Sequence, residues 1–374
     1  MSGLEGAAFA IFIIWVLLGA CQNIALAEMQ GALRYDLVGW SGMMAALVMA
    51  LGAVLFVSER DLVSAMLVMA ASLVFQALPV LRLLGEPVRA RPGVPQDQPA
   101  LPATREIVVY GFNAWLVTLT TILVWSRGEL IVIEAVLDQR SLGLYGAAIT
   151  LTALVWRLTG MLQGAVEPHL SRRLSNGGEA EDFIAGMNRL CLTASACCAL
   201  TVALLGRELS VLVYGSRYAE AGEIMAWLAP GVAVAGIGTV NLAVQYLSQA
   251  VFNRNALIVG SVMLLALAWA ATQAGGIMGA AGARSVVLLG LGAVMAVWLL
   301  RRVYAGLGAE VLKDLAIVAS MVGLASMIAL VVQPGLAARL GLLCAGCYLL
   351  AFRATGRWNP AGMVSSALGQ LRSW

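Results

Sequence analysis

Hydrophobic residues fall in blocks of about 17–23 positions, parted by short polar stretches, along almost the whole chain. A helix of that length crosses a ~30 Å hydrocarbon core. The pattern predicts about 11 spans, at 7–27, 37–57, 62–82, 107–126, 142–165, 186–206, 225–246, 255–273, 282–300, 313–333 and 336–352. Backbone groups in lipid must be paired within the spanning structure, and strands of a barrel would read as alternating segments of ~10 residues, a pattern this sequence lacks. The expected fold class is therefore all-α, a polytopic membrane protein. The stretch before the first span holds Glu5 and no Lys or Arg, so that span is expected to stay as a membrane helix and not to act as a signal peptide.

The rhythm breaks once, at 85–106, where Pro87, Pro92, Pro95, Pro99 and Pro102 accompany several charges. Proline withholds an amide donor and favours extended chain, so this reads as a linker on the inner side. It divides a three-span unit, 1–84, from six spans in 107–306, with two more spans and a tail in 307–374. Smaller signals refine the picture. Segment 207–224 is amphipathic and reads either as a short helix at the outer interface or as a plain connection. Pro230-Gly231 should kink the span it opens, and Gly275 with Gly279 should start a tight hairpin.

Composition agrees with this placement. Hydrophobic residues make up 61% of the chain and charged residues 11%, against about 45–50% and 25% in soluble domains. The net charge of +3 matters less than its distribution. With residue 1 outside, about 15 basic residues lie on the inner side and about 6 on the outer, so the positive-inside rule selects an outer N-terminus and a cytoplasmic C-terminus. No basic stripe remains for nucleic acid. The six cysteines sit in or beside apolar runs, and Cys344-x-x-Cys347 has no second ligand pair, so packing and not metal binding is expected of them.

Enzyme readings fail for lack of parts. The chain has no phosphate-binding G-x-x-x-x-G-K-[ST] loop and a single histidine, His169, so no catalytic residue, metal or cofactor is expected. Glu129, Glu134 and Asp138 lie beside Arg127 and Arg140 and are expected to form a solvated, mutually paired cap, leaving no acidic residue deep in a span. Deep charge is confined to Arg157 and, less deep, Arg284. Arg157 stands roughly 12 Å inside its span at 1.5 Å per residue. It shares a helix face with Thr150, Ala153, Gly160 and Gly164. Such an arginine points into a bundle or a water-filled cavity. Tyr110, Asn113, Asn241, Gln245 and Gln249 lie toward the same inner side and could line that cavity with it. The alternative reading makes these residues interhelical hydrogen-bond partners, with Arg157 snorkelling to the inner headgroups.

Around the fifth span, Arg140-Ser141-Leu142-Gly143-Leu144-Tyr145-Gly146-Ala147-Ala148 is followed by Pro168-His169-Leu170-Ser171. Downstream come Val213-Tyr214-Gly215-Ser216-Arg217-Tyr218, Trp227-Leu228-Ala229 and Gly275-Gly276-Ile277-Met278-Gly279-Ala280-Ala281-Gly282. In order and spacing these resemble the motifs of polysaccharide-biosynthesis and O-antigen-type flippases, within the multidrug/oligosaccharidyl-lipid/polysaccharide exporter superfamily. The resemblance covers about 140–285 and implies two helical bundles around a cavity. It implies alternating-access translocation of an undecaprenyl-diphosphate-linked glycan across the bacterial inner membrane, with Arg157, Asn113, Tyr110, Asn241 and Gln245 as substrate-binding candidates. The expected partners are the lipid-linked glycan, membrane lipids and glycan-assembly proteins. Three spans precede the linker where the family has six, so the first bundle is expected to be incomplete. A membrane-embedded glycan polymerase or ligase, and a multidrug exporter, are the rival readings; the former needs a large outer loop, and the longest here is about 18 residues.

Overall fold

A computed structural model of the chain describes residues 35–56, 67–75, 128–175, 180–247, 251–302 and 304–356, with scattered positions at 13, 14, 17–19, 22, 64, 112, 116, 119–121, 123 and 124. The described residues contain helices and no strand, so the fold is all-α. Two compact units divide between Leu101 and Pro102. In the first unit, α1 (Tyr35–Phe56) packs through Gly52 against Val68 of the helical stretch 67–75.

The second unit begins with α2 (Gly128–Val136), α3 (Gln139–Ser175) and α4 (Glu181–Tyr214). It continues with α5 (Ala221–Ala233), α6 (Gly238–Leu247), α7 (Val251–Arg302), α8 (Ala305–Met327) and α9 (Leu336–Gly356). Five segments are long and apolar enough to cross a membrane: Gln139–Gly164, Glu181–Tyr214, Ala221–Val244, Val251–Arg302 and Ala305–Val332. They coincide with six of the predicted spans, because α7 holds two. The chain is a multi-pass membrane protein. A straight helix of 52 residues would be about 77 Å long, yet Phe252 stacks on Trp298 with ring centroids 5.3 Å apart and Gly260 faces Leu291. The two arms therefore fold back at Gly275 and Gly276, whose φ of 58° is open to glycine at little cost. This is the hairpin anticipated from the glycine spacing.

The segment Ala221–Val244 is the central one: 72% of its apolar window is buried, against 28% for Ala305–Val332, which leaves a broad face of the latter to lipid. Met225, Leu228 and Leu288 are among the fully buried side chains around it. The central segment is broken. Pro230 has no N–H to give to Ala226, and after Ala233 the helix tightens into a 3₁₀ turn at Val234–Ile237 before α6 resumes. Three neighbouring helices bond to this region. Ser195 Oγ of α4 donates to Ala233 O at 2.8 Å, Gln163 Nε2 of α3 donates to Ala235 O at 3.0 Å, and Ser285 Oγ of α7 donates to Trp227 O at 2.7 Å. The irregularity expected at Pro230-Gly231 takes the form of this 3₁₀ turn just after it, and the carbonyls of Trp227, Ala233 and Ala235 have side-chain partners.

Two expectations are corrected. Residues 207–214 do not form a separate interfacial helix; they prolong α4, which runs through Gly206 in helical geometry and ends only at Gly215, where φ is 87° and the N–H bonds back to Val211 O at 2.9 Å. The acidic cap is also mistaken. Glu134 and Asp138 are exposed, but Glu129 is 0% exposed and belongs to the interior.

Candidate functional site

Charges in the second unit gather in two belts. At one end Arg140 pairs with Glu220 at 2.8 Å, and Arg339 pairs with Glu208 at 3.1 Å while its Nε donates to Pro334 O at 2.7 Å. At the other end Arg189 of α4 pairs with Glu310 and approaches Asp314 of α8 at 3.8 Å, and Glu181 accepts the Leu307 N–H at 3.1 Å. Arg189 and Glu208 lie on the same helix, about 29 Å apart at 1.5 Å per residue. That separation is close to the ~30 Å of a hydrocarbon core.

Arg157 lies between them. The pairs Arg140–Glu220 and Gln163–Ala235 show that α3 runs parallel to α5 and α6, which sets Arg157 level with the middle of the broken central segment. Its side chain is exposed, and no described residue bonds to it. The positions around it on α3 follow a 3-4 spacing: Gly143, Gly146, Thr150, Ala153, Arg157, Gly160 and Gly164. None of the seven is buried, and no described residue comes within 4 Å of where a Cβ would stand on any of the four glycines. The stripe is about 32 Å long at 1.5 Å per residue. Thr150 turns its hydroxyl onto Gly146 O at 2.7 Å, so the guanidinium is the one charged group along this face. Buried partners on the opposite side, among them Tyr145, Thr152, Val155 and Thr159, hold α3 to the bundle.

The other expected site residues are placed less fully. Asn241 is half-buried on α6 and its Oδ1 has no partner among the described residues. It lies about 18 Å further along the axis than Arg157 by the Gln163–Ala235 register, so the two are not neighbours. Gln245 follows one turn later on α6, with its side chain outside the described residues, as are Tyr110, Asn113 and Gln249. His169 is exposed near the C-terminal end of α3.

Sequence reasoning missed a second constellation. Glu129, on the first turn of α2, accepts a hydrogen bond and ion pair from Arg284 of the second α7 arm at 2.5 Å, and one from the Tyr145 hydroxyl of α3 at 3.1 Å. Its Oε2 has no partner among the described residues. Both charged side chains are almost wholly buried, so the pair pins three elements together and removes an acid from the surface cap assigned to it. The available signal was the run Leu130 to Val136 directly after Glu129, apolar apart from Glu134, which marks the start of a buried helix more than a loop.

Residues 6–223, well over half of the chain, match a family described as polysaccharide biosynthesis protein. The chain belongs to that family. The match takes in the first three predicted spans, the 85–106 linker, α3 with Arg157, and α4. It overlaps the motifs at 140–148, 168–171 and 213–218 that suggested the same assignment. No curated protein matches the sequence.

Proposed function

We propose that this family member is a flippase that moves a lipid-linked glycan precursor, of the undecaprenyl-diphosphate class, across the bacterial inner membrane without chemical change to it. The carrying observation is Arg157: a guanidinium with no partner among the described residues, on an open, small-residue face between the two charged belts. Charge at that depth is costly and is retained where it serves an ion or substrate path. A diphosphate leaving water needs compensation for lost hydration. Guanidinium supplies it with a permanent charge and a fork of donors that match two phosphate oxygens. The glycines leave room beside it for the headgroup to pass, and no nucleotide, metal or other cofactor is required by this step. Tyr110, Asn113, Asn241 and Gln245 remain the proposed polar lining along the inner part of the path, meeting sugar hydroxyls. Glycan-assembly enzymes are the proposed suppliers and consumers of the cargo.

The test measures surface glycan and membrane protein abundance together for Arg157→Ala and Arg157→Lys in cells that depend on this gene. Ala should abolish glycan export with abundance unchanged or higher, because an uncompensated charge is removed, and Lys should fall between. Normal export by a normally abundant Arg157→Ala protein would refute the assignment.

A further inference from the structure

We propose that residues 230–237 form a hinge in the central segment, clasped in this conformation by Gln163, Ser195 and Ser285, and that α6 swings about it relative to α5 during transport. The motion rests on the flippase reading only for its purpose. Its mechanics come from three features at and immediately beside these eight residues.

The first is the break itself. A 3₁₀ stretch inside a membrane helix trades linear i to i+4 bonds for poorer ones, and its buried position at Val234–Ile237 cannot be relieved by water. The second is the clasp. The carbonyls of Ala233 and Ala235 are bonded not by their own helix alone but by single side chains from α4 and α3, and Ser285 both donates to Trp227 O and accepts the Gly231 N–H at 3.2 Å. Each is a neutral hydrogen bond of modest net strength, so an alternative arrangement is close in free energy. The third is the surface on which the hinge turns. Gly231 lies against the Ser285 backbone, Gly236 against the Leu192 backbone and Gly238 against the Gln163 side chain, so no Cβ of the central segment keys into its neighbours at these contacts. A segment with weak bonds and smooth contacts at its break, and helices on either side of it, is a two-position joint. Gln163 sits on the same helix as Arg157. Substrate seen by Arg157 can therefore act on the clasp through α3, and Asn241 on α6 is carried by the swing.

From Gly236 to Leu247 the lever is about 17 Å, so a 20° change moves its end by about 6 Å. Pulsed electron paramagnetic resonance reads this directly from spin labels at Asp182 and Leu247 in the full-length, otherwise cysteine-free protein in lipid nanodiscs. Two distance populations about 6 Å apart are expected. Pro230→Ala, which restores the missing donor, should merge them into one. Gln163→Met, which keeps bulk but removes the donor to Ala235, should enlarge the population away from the clasped distance. A single distance, unchanged across all three proteins, overturns the hinge whatever the glycan does. Loss of the gene with no effect on surface glycan removes the flippase reading and leaves the distances standing.

Discussion

Glu129 and Arg284 offer a test whose size follows from burial. Glu129 is 0% exposed and Arg284 3%, and the carboxylate already has one oxygen without a partner. Arg284→Met would leave that carboxylate with the Tyr145 hydroxyl among the described residues, and Glu129→Gln would remove the Arg284–Glu129 ion pair. Removing one partner of a buried pair costs about 3–5 kcal/mol, whereas replacing both with groups of similar volume is often neutral or stabilising. The double variant Glu129→Gln, Arg284→Met should therefore be much closer to the parent than either single variant. A coupling energy of at least about 3 kcal/mol is expected, roughly 150-fold in the folding equilibrium. Reversible unfolding in mixed micelles, followed by tryptophan fluorescence for all four proteins, gives the cycle. The reasoning is refuted if the single variants stay within about 0.5 kcal/mol of the parent, or if the double variant equals their sum.

Other outcomes are open to simpler measurements. Single cysteines at Gly93 and Gly177 in intact cells should be shielded from an impermeant thiol reagent while one at Ser216 reacts; the opposite pattern would invert the orientation drawn from the arginine asymmetry. Gly236→Ala would drive a Cβ into the Leu192 backbone and Ser195 Oγ and should destabilise the protein by about 1–3 kcal/mol. Gly160→Ala, with open space around it, should stabilise α3 by about 0.5–1 kcal/mol yet lower glycan export by crowding the stripe. Hydrogen bonds from the Ser141 side chain and then its backbone hold the Asp138 carboxyl below its ordinary value of 3.8, so the charged form is favoured in the folded protein. Its contribution is complete above 3.8 and fades as pH falls through the lowered folded value. Asp138→Ala should accordingly lower Tm at pH 7, with the gap closing only below that range.

Hydropathy made the helices legible because each block had to satisfy its own backbone in lipid, and glycine and proline marked the α7 hairpin and the break at Pro230. Arg157 was legible for the same reason, since a charge inside an apolar run stands out. Glu129 was not. It sits beside a run instead of within it, and although the apolar stretch after it hints at a buried helix, the residue that decides its environment is Arg284, 155 positions away. Gln163, Ser195 and Ser285 escaped for a related reason: a lone polar residue in a helix identifies itself only when the carbonyl it serves is known, and those carbonyls belong to a neighbouring helix. The length of α4 was underestimated because amphipathic character at a membrane edge does not end a helix, whereas Gly215 does.

The separation of 155 residues also sets a schedule for biogenesis. A ribosome adding about 5–20 residues per second emits Arg284 roughly 8–30 s after Glu129. Throughout that interval the nascent protein contains α2 and α3 with an acid that has no counter-ion yet, and the arriving α7 hairpin then brings the arginine in on its second arm. Until it does, the half-made bundle cannot close around Glu129 at the free energy of the finished one, and a chain that stops before α7 would hold this acid without the arginine that pairs with it.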